Sequence, residues 1–311
     1  MTIARSPVTQ IDDYSRFGNK PNRLPQWLRK SLKVGKTATS TTSLLSDLGL
    51  NTICESGKCP NRNECYSQNT ATFMILGDLC TRNCRYCSVK PGKPTAPDAN
   101  EAAKVTEAIF RLGLEHVVIT SVTRDDIADE GVSHFEDVLN AIRAKMPNIV
   151  LEVLTPDFKR DINKAAKAFA GFPIDIFNHN IETVKEQHGR MRPQGGYLDS
   201  LALLKEVKRL NPKTITKSGA MLGVGETRAE VLVMLDDLRS VQCDMLTLGQ
   251  YLQPEKQAYP IHRYVEPAEF DFYKREALDK GFLMVESGPF VRSSFHAKDS
   301  FIELKEHLKH R

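Results

Sequence analysis

Thiols dominate the chemistry this sequence can do. Cys80, Cys84 and Cys87 are spaced Cys-x-x-x-Cys-x-x-Cys, and Cys54, Cys59 and Cys65 stand a short way upstream, spaced Cys-x-x-x-x-Cys-x-x-x-x-x-Cys. All but one of the chain's seven cysteines therefore lie between positions 54 and 87. Thiolates this close in sequence more often share metal than pack a core. Short loop spacings bring thiolates to convergence, as iron–sulfur clusters require. Two triads, in place of one set of four, suggest two clusters, each with one iron these cysteines do not supply. Zinc would need a fourth ligand, usually from a second Cys-x-x-Cys or a His pair. The first histidine is His116, well past both triads, so nothing nearby supplies it, although a distant ligand stays open. Structural disulfides fit poorly with an odd cysteine count and a chain without a secretory leader.

The elements that must position these thiols begin near Thr72, where short apolar runs start to alternate with amphipathic stretches. Strands are predicted at Thr72–Leu76, His116–Thr120, Ile149–Leu154, Ile174–Phe177, Thr214–Leu222, Met245–Leu248 and Phe282–Val285. Between them, Val105, Ile109 and Leu112 form a helical stripe, as do Phe135, Val138, Leu139 and Ile142, then Leu203, Val207 and Leu210, then Val231, Leu235 and Leu238. Ser133 with Glu136, and Thr227 with Glu230, read as capping boxes that open the second and fourth of these helices. Strands alternating with helices imply parallel βα units. About six such units predict an α/β fold, a full or partial TIM-type barrel, whose functional residues sit at the C-terminal ends of the strands. The segments that follow the predicted strands agree. Gly77–Cys87, Ser121–Asp126, Pro156-Asp157, Asn178–Glu182, Gly223–Thr227 and Gly249–Gln253 are polar or motif-like, and the downstream triad sits at that same end.

Cys80-Thr-Arg-Asn-Cys84-Arg-Tyr86-Cys87 resembles the signature of the radical S-adenosylmethionine superfamily, Cys-x-x-x-Cys-x-aromatic-Cys after the first barrel strand. The resemblance implies a partial (β/α)6 barrel and a 4Fe–4S cluster whose open iron is chelated by S-adenosylmethionine. It implies reductive cleavage of that cofactor to a 5′-deoxyadenosyl radical, which takes hydrogen from an unactivated carbon. The upstream triad, Cys54-Glu-Ser-Gly-Lys-Cys59-Pro-Asn-Arg-Asn-Glu-Cys65, is similar to the auxiliary-cluster motif of the lipoyl synthase family. Further matches are Asp175–Glu182, Lys217–Gly223, Leu248–Pro254 and Arg292-Ser293-Ser294-Phe295, so that the likeness spans about residues 25–300.

This resemblance implies a sulfurtransferase with two 4Fe–4S clusters. Ser294 would be the fourth ligand of the auxiliary cluster, through a labile Fe–O bond suited to a cluster that is dismantled as the sulfur donor. Phe295 stands where the family often has Tyr, which removes a hydroxyl and keeps the ring. The implied reaction inserts two sulfurs at C6 and C8 of an octanoyl-lysine. The implied partners are octanoylated lipoyl carrier domains, namely the acyltransferase subunits of 2-oxoacid dehydrogenases and the glycine cleavage H protein. An electron donor such as flavodoxin or ferredoxin, and an iron–sulfur carrier, complete the set. The implied division is a 1–66 extension with the auxiliary cysteines, a 67–285 barrel and a 286–311 extension with the serine ligand.

Several other residues are candidates for the cofactor. Tyr86 lies between the last two cysteines. Asn178, His179, Asn180 and Glu182 leave the fourth strand together, and could bond the ribose or methionine moiety or simply cap a strand end. Alternation puts Asn178 and Asn180 on one face. Lys217, if it points into the barrel, needs a carboxylate partner, either the protein's own or that of the cofactor. Arg190 and Arg192 could serve the same role or meet the carrier. Gly223, Gly225 and Glu226 read equally as an adenosine-side backbone or a strand–helix turn. Arg124, Asp125 and Asp126 read as a structural ion network, and Cys243 as a core thiol.

The whole chain is of ordinary globular composition, with 311 residues, 41% hydrophobic and 26% charged. A formal net charge of +4 gives no argument for nucleic acid, which disfavours a transfer-RNA methylthiotransferase. A zinc- or cluster-stabilised interaction module is the non-enzyme alternative. The N-terminus reads as no secretory signal and no apolar run is long enough to cross a membrane, so a cytoplasmic location is expected, with organelle import the alternative, and a monomer is the expected state. Residues 1–50 carry eight Lys or Arg against three Asp. This segment reads as an extension ordered around Trp27 and Leu28, with a solvated tail before it, and could face an acidic carrier.

Overall fold

A computed structural model describes residues 24–29, 36–67, 71–294, 297, 301–304 and 306. The tail predicted before residue 20 and Phe295 lie outside the described residues. In chain order the elements are α1 (Lys36–Asp47), β1 (Asn51–Thr52), α2 (Ile53–Ser56), α3 (Arg62–Ser67), β2 (Thr72–Ile75), β3 (Leu79–Cys80), β4 (Lys90–Pro91), α4 (Glu101–Leu112), β5 (His116–Ser121) and α5 (Val132–Lys145). They continue with β6 (Val150–Leu154), α6 (Ile162–Gly171), β7 (Ile176–Asn178), α7 (Lys185–Met191), α8 (Tyr197–Leu210), β8 (Ile215–Leu222), α9 (Arg228–Ser240), β9 (Met245–Gln250), α10 (Pro267–Asp279) and β10 (Met284–Gly288).

One eight-stranded sheet runs β1-β2-β5-β6-β7-β8-β9-β10. β1 pairs antiparallel with β2, and every later neighbour is parallel. All seven predicted strands are present, joined by helices as six βα units and a closing strand. Among the described residues no ladder joins β10 to β1, so the sheet is open. Because β2 to β10 all run the same way, their C-terminal ends form one rim. The tiny β3–β4 pair lies on that rim and frames the Cys80–Cys87 loop.

The strands are largely apolar on the face that the helices cover. Phe177 on β7 meets Phe169 of α6 at 5.5 Å between ring centroids, and Phe135 of α5 meets the same ring at 5.4 Å. The four predicted helical stripes are buried in α4, α5, α8 and α9, apart from half-buried Leu112 and exposed Leu210 at the helix ends. Thr227 and Glu230 form the expected capping box. Ser133 does not. It lies inside α5, whose N-cap is Gly131 at φ 89°, and its amide donates to Asp129 Oδ2 at 2.8 Å. Near the N-terminus, Leu28 is buried and Trp27 exposed within a short 3-10 turn at Gln26–Leu28.

Candidate functional site

The downstream triad sits in a loop held on all sides. The Thr81 hydroxyl donates to Asp125 Oδ2 at 2.8 Å. Arg82 is buried and forks between Asp125 (2.6 Å) and Asp157 (2.7 Å), the residues that follow β5 and β6. The Arg85 amide donates to Met191 O at 2.8 Å, and Arg85 O accepts the Tyr259 amide at 2.7 Å. Amides also aim at the sulfurs. Arg82 N and Thr123 N approach Cys80 Sγ at 3.5 and 3.4 Å, and Val89 N approaches Cys87 Sγ at 3.4 Å. Such N–H···S bonds favour thiolate and tune a cluster's potential.

The upstream triad is built differently. Thr52 caps α2 by accepting the Glu55 amide, and its hydroxyl also meets the Tyr66 hydroxyl at 2.7 Å. This ties together the short helices that carry Cys54 and Cys65. The Cys59 amide closes the turn onto Cys54 O at 3.1 Å. The two triads are joined where the Ser88 hydroxyl donates to Ser56 O at 2.6 Å.

All six cysteines line a single cavity of about 510 Å³ at the C-terminal rim. Ser293 and Ser294 line it too. They are brought there by two contacts: Asn61 Nδ2 donates to Phe290 O at 2.7 Å, and the Ser293 hydroxyl donates to Asn180 Oδ1 at 2.9 Å. The N- and C-terminal segments thus meet over the rim. Glycines make room for them. A Cβ on Gly219 would stand 2.8 Å from Asn180 Oδ1 and 3.0 Å from Ser293 Oγ. One on Gly249 would run into the Val291 carbonyl and crowd Arg292 Nη1 at 3.1 Å. Gly249→Ala is therefore expected to destabilise the protein by about 1–3 kcal/mol and to displace Arg292–Ser294. A lowered denaturation midpoint, with faster amide exchange confined to that segment, would register it.

The thiols fit a cluster by chemistry. All are free. Burial pushes the Cys54 thiol up to about 11 and the Cys87 thiol up to about 12, and raises Cys84. Such thiols stay protonated at neutral pH unless bound iron holds them as thiolates. Among the described residues no three Cys, His, Asp or Glu side chains converge on a single ion. A four-iron cluster takes one thiolate per iron and has no need of that convergence.

The other predicted residues divide. Tyr86, Asn180 and Glu182 line the cavity, with Arg192 beside them. Glu182 holds a left-handed backbone at φ 69°, and its amide and carbonyl bridge to Gly219 and Met221 of β8 at 2.9 and 2.8 Å. A non-glycine residue kept in that region marks a site whose surroundings enforce it. Burial raises the Glu182 pKa against the pull of Arg192, Tyr86 and Asn180. Arg192 is bound to Asp157 at 2.8 Å, so Asp157 joins this cavity-lining guanidinium to the Arg82 of the cysteine loop.

Asn178 and Lys217 do not line the cavity. Lys217 Nζ lies 2.9 Å from Glu152 Oε1, and Asn178 Nδ2 donates to the same oxygen at 2.8 Å. The partner Lys217 needs is the protein's own, and these two residues belong to a buried network below the cavity in place of a cofactor contact. Asn178 and Asn180 do not share a role, because β7 ends at Asn178 and the alternation ends with it. His179 is fully buried, bonded to Thr155 and Ser200, and burial, opposed by Asp157, lowers it to about 4. Arg124 binds Asp126 at 2.8 Å and the carbonyls of Leu76 and Thr95, the structural network expected. Glu226 is buried and accepts the Gly223 and Val224 amides at 2.7 and 2.8 Å, which makes that segment a strand–helix turn. Cys243 is a core thiol.

Glu152 and Gly219 had no place among the sequence candidates. Each leaves a signal: a lone carboxylate within Val-Leu-Glu-Val-Leu, and a glycine inside the long β8 strand.

The model of the radical SAM superfamily matches residues 74–238, just over half the chain. The chain belongs to that superfamily. Solved structures with the same fold include the FeFe-hydrogenase maturase HydG from Carboxydothermus hydrogenoformans (TM-score 0.57, 16% identity, covering 74% of this chain and 56% of that one). They also include the methylornithine synthase PylB (0.51, 13% identity, covering 80% and 82%) and Streptococcus suis SuiB bound to S-adenosylmethionine (0.50, 11% identity, covering 70% and 50%). This chain thus spans little more than half the length of the maturase. At these identities the likeness is one of fold. Members of this superfamily use a 4Fe–4S cluster with S-adenosylmethionine for radical chemistry. Among the described residues no helix is long and apolar enough to cross a membrane.

Proposed function

We propose that the chain inserts two sulfur atoms, at C6 and C8, into an octanoyl chain carried on a lysine of a lipoyl carrier domain, with a second 4Fe–4S cluster as sulfur donor. The observation that carries this reading is that both cysteine triads and Ser294 line one cavity. When bound, the first cluster with S-adenosylmethionine supplies a hydrogen-abstracting radical, and the second supplies sulfide. Cys80, Cys84 and Cys87 would hold the first, leaving one iron for the cofactor. Cys54, Cys59, Cys65 and Ser294 would hold the second. Tyr86, Asn180, Glu182 and Arg192 bring donors, acceptors and a guanidinium to the side of the cavity nearest the first triad, where a zwitterionic cofactor can be oriented. Apolar walls from Ile53, Met74, Val122, Leu154 and Met221 would exclude water and take an alkyl chain.

The reading asks for octanoylated carrier domains as substrate, for flavodoxin or ferredoxin as reductant and for an iron–sulfur carrier to refill the second site. The test is anaerobic reconstitution followed by reductant, S-adenosylmethionine and an octanoyl-lysine peptide. About eight irons per chain and a dithiolated peptide are expected. Cofactor cleavage with an unmodified peptide would overturn the substrate and keep the superfamily chemistry.

A further inference from the structure

The C-terminal segment has a second anchorage, at the opposite end of the sheet from the cavity. Arg292, Ser293 and Ser294 line the cavity at the rim. Phe301 and Leu304, a few residues on, are buried at 5% and 0% exposure. The Phe301 ring lies 6.0 Å from that of His116, edge to face. Leu304 packs with Met245 and Met284, against Ile215 and Leu283. His116, Ile215, Met245 and Met284 are the first residues of β5, β8, β9 and β10. They mark the floor of the sheet.

They also lie on its inner face. Met245 is the register partner of Lys217, whose side chain meets Glu152 inside, and His116 Nε2 reaches the same carboxylate at 3.2 Å. Ser294 and Phe301 stand seven positions apart in sequence, so a tether of at most about 25 Å links rim to floor.

The rim end is held by polar contacts and one close backbone approach. Ser293 has its bond to Asn180, and Phe290 its bond to Asn61. Val291 passes over Gly249 where no side chain stands in the way. The floor end is held by burial of two large apolar side chains. We propose that Phe301 and Leu304 are positioning residues: a floor plug that sets where Ser294 stands in the cavity. The plug would thereby control assembly of the second cluster without touching the first, whose loop is held by Arg82, Arg85 and Tyr259. This inference rests on the proposed role of Ser294.

The test compares the full chain with Phe301→Ala/Leu304→Ala, each measured with and without iron. In the metal-free proteins, the Arg292 and Ser293 amides are expected to exchange at least about tenfold faster in the variant, while those of β5 to β9 keep their protection. After anaerobic reconstitution, iron is expected to fall from about eight to about four per chain, with cleavage of S-adenosylmethionine retained. Leu304→Met, which keeps the apolar volume, is expected to restore both readouts. Unchanged exchange at the rim, or a full complement of iron in the double variant, would overturn the plug. Loss of protection across the whole sheet would also overturn it, since the residues would then serve the fold at large. Ser294→Ala is the companion: full iron and full sulfur insertion in that variant would remove the ligand reading, while the exchange measurement would still decide whether the plug holds the rim.

Discussion

Cys84→Ala is expected to lower reductive cleavage of S-adenosylmethionine by at least about 10³-fold, the scale on which loss of an indispensable group acts. Cys59→Ala is expected to leave that cleavage nearly intact and to remove sulfur insertion. The difference follows from how the two triads are built. Loss of one thiol leaves the Cys80–Cys87 loop in place, because Thr81, Arg82 and Arg85 fasten it to Asp125, Asp157, Met191 and the Tyr259 amide. The effect of Cys84→Ala is then on the iron and not on the fold. Cys59 closes a separate turn on Cys54, held by Thr52 and Tyr66, with no share in that ion network. Release of 5′-deoxyadenosine, iron content and peptide mass measure the three consequences side by side. Equal loss of cleavage in both variants would mean that the triads serve one shared assembly.

The parts of this site that could be read from the sequence are those written in local spacing. A cysteine triad after an apolar run is such a pattern, and so is each strand of the parallel sheet, which reads as a short and mainly apolar run. What could not be read depends on register between distant segments. The alternation of Asn178 and Asn180 pointed both toward the cofactor, but the strand stops at Asn178 and only Asn180 reaches the cavity. Ser133 and Glu136 have capping-box spacing, yet Gly131 with its positive φ starts the helix earlier and gives Asp129 the capping role. Helices α1 to α3 were hidden in a polar stretch without an apolar period. They are stabilised by contacts such as Thr41 Oγ1 to Tyr66 O at 3.1 Å, which no local pattern encodes. The partner of Lys217 was the plainest case: a buried lysine announces that a carboxylate is needed, and only the pairing of strands says which one.

That pairing carries the second prediction. Lys217→Met is expected to destabilise the metal-free protein by about 3–5 kcal/mol at neutral pH, the scale for an uncompensated buried charge. This is a large share of the roughly 5–15 kcal/mol that holds a domain together. Lys217 and Glu152 are both fully buried, and Asn178 and His116 occupy the remaining approaches to the carboxylate. Burial alone would raise the Glu152 pKa; Lys217 and His116 outweigh it and bring it down to about 2. A carboxylate depressed in this way stabilises the fold above its unfolded value of about 4.3, and that contribution is lost as pH falls toward about 2. Without the lysine, Glu152 must either stay charged without its ammonium partner or take up a proton. The deficit of the variant should therefore be greatest at pH 7 and shrink below about pH 4, where the parent loses the same contribution. Lys217→Met/Glu152→Gln should recover part of the loss at pH 7. Urea denaturation across this range measures all three. If Lys217 instead served the cofactor, stability would hardly change and the KM for S-adenosylmethionine would rise. The two outcomes separate a residue that carries the floor of the sheet from one that works at its rim.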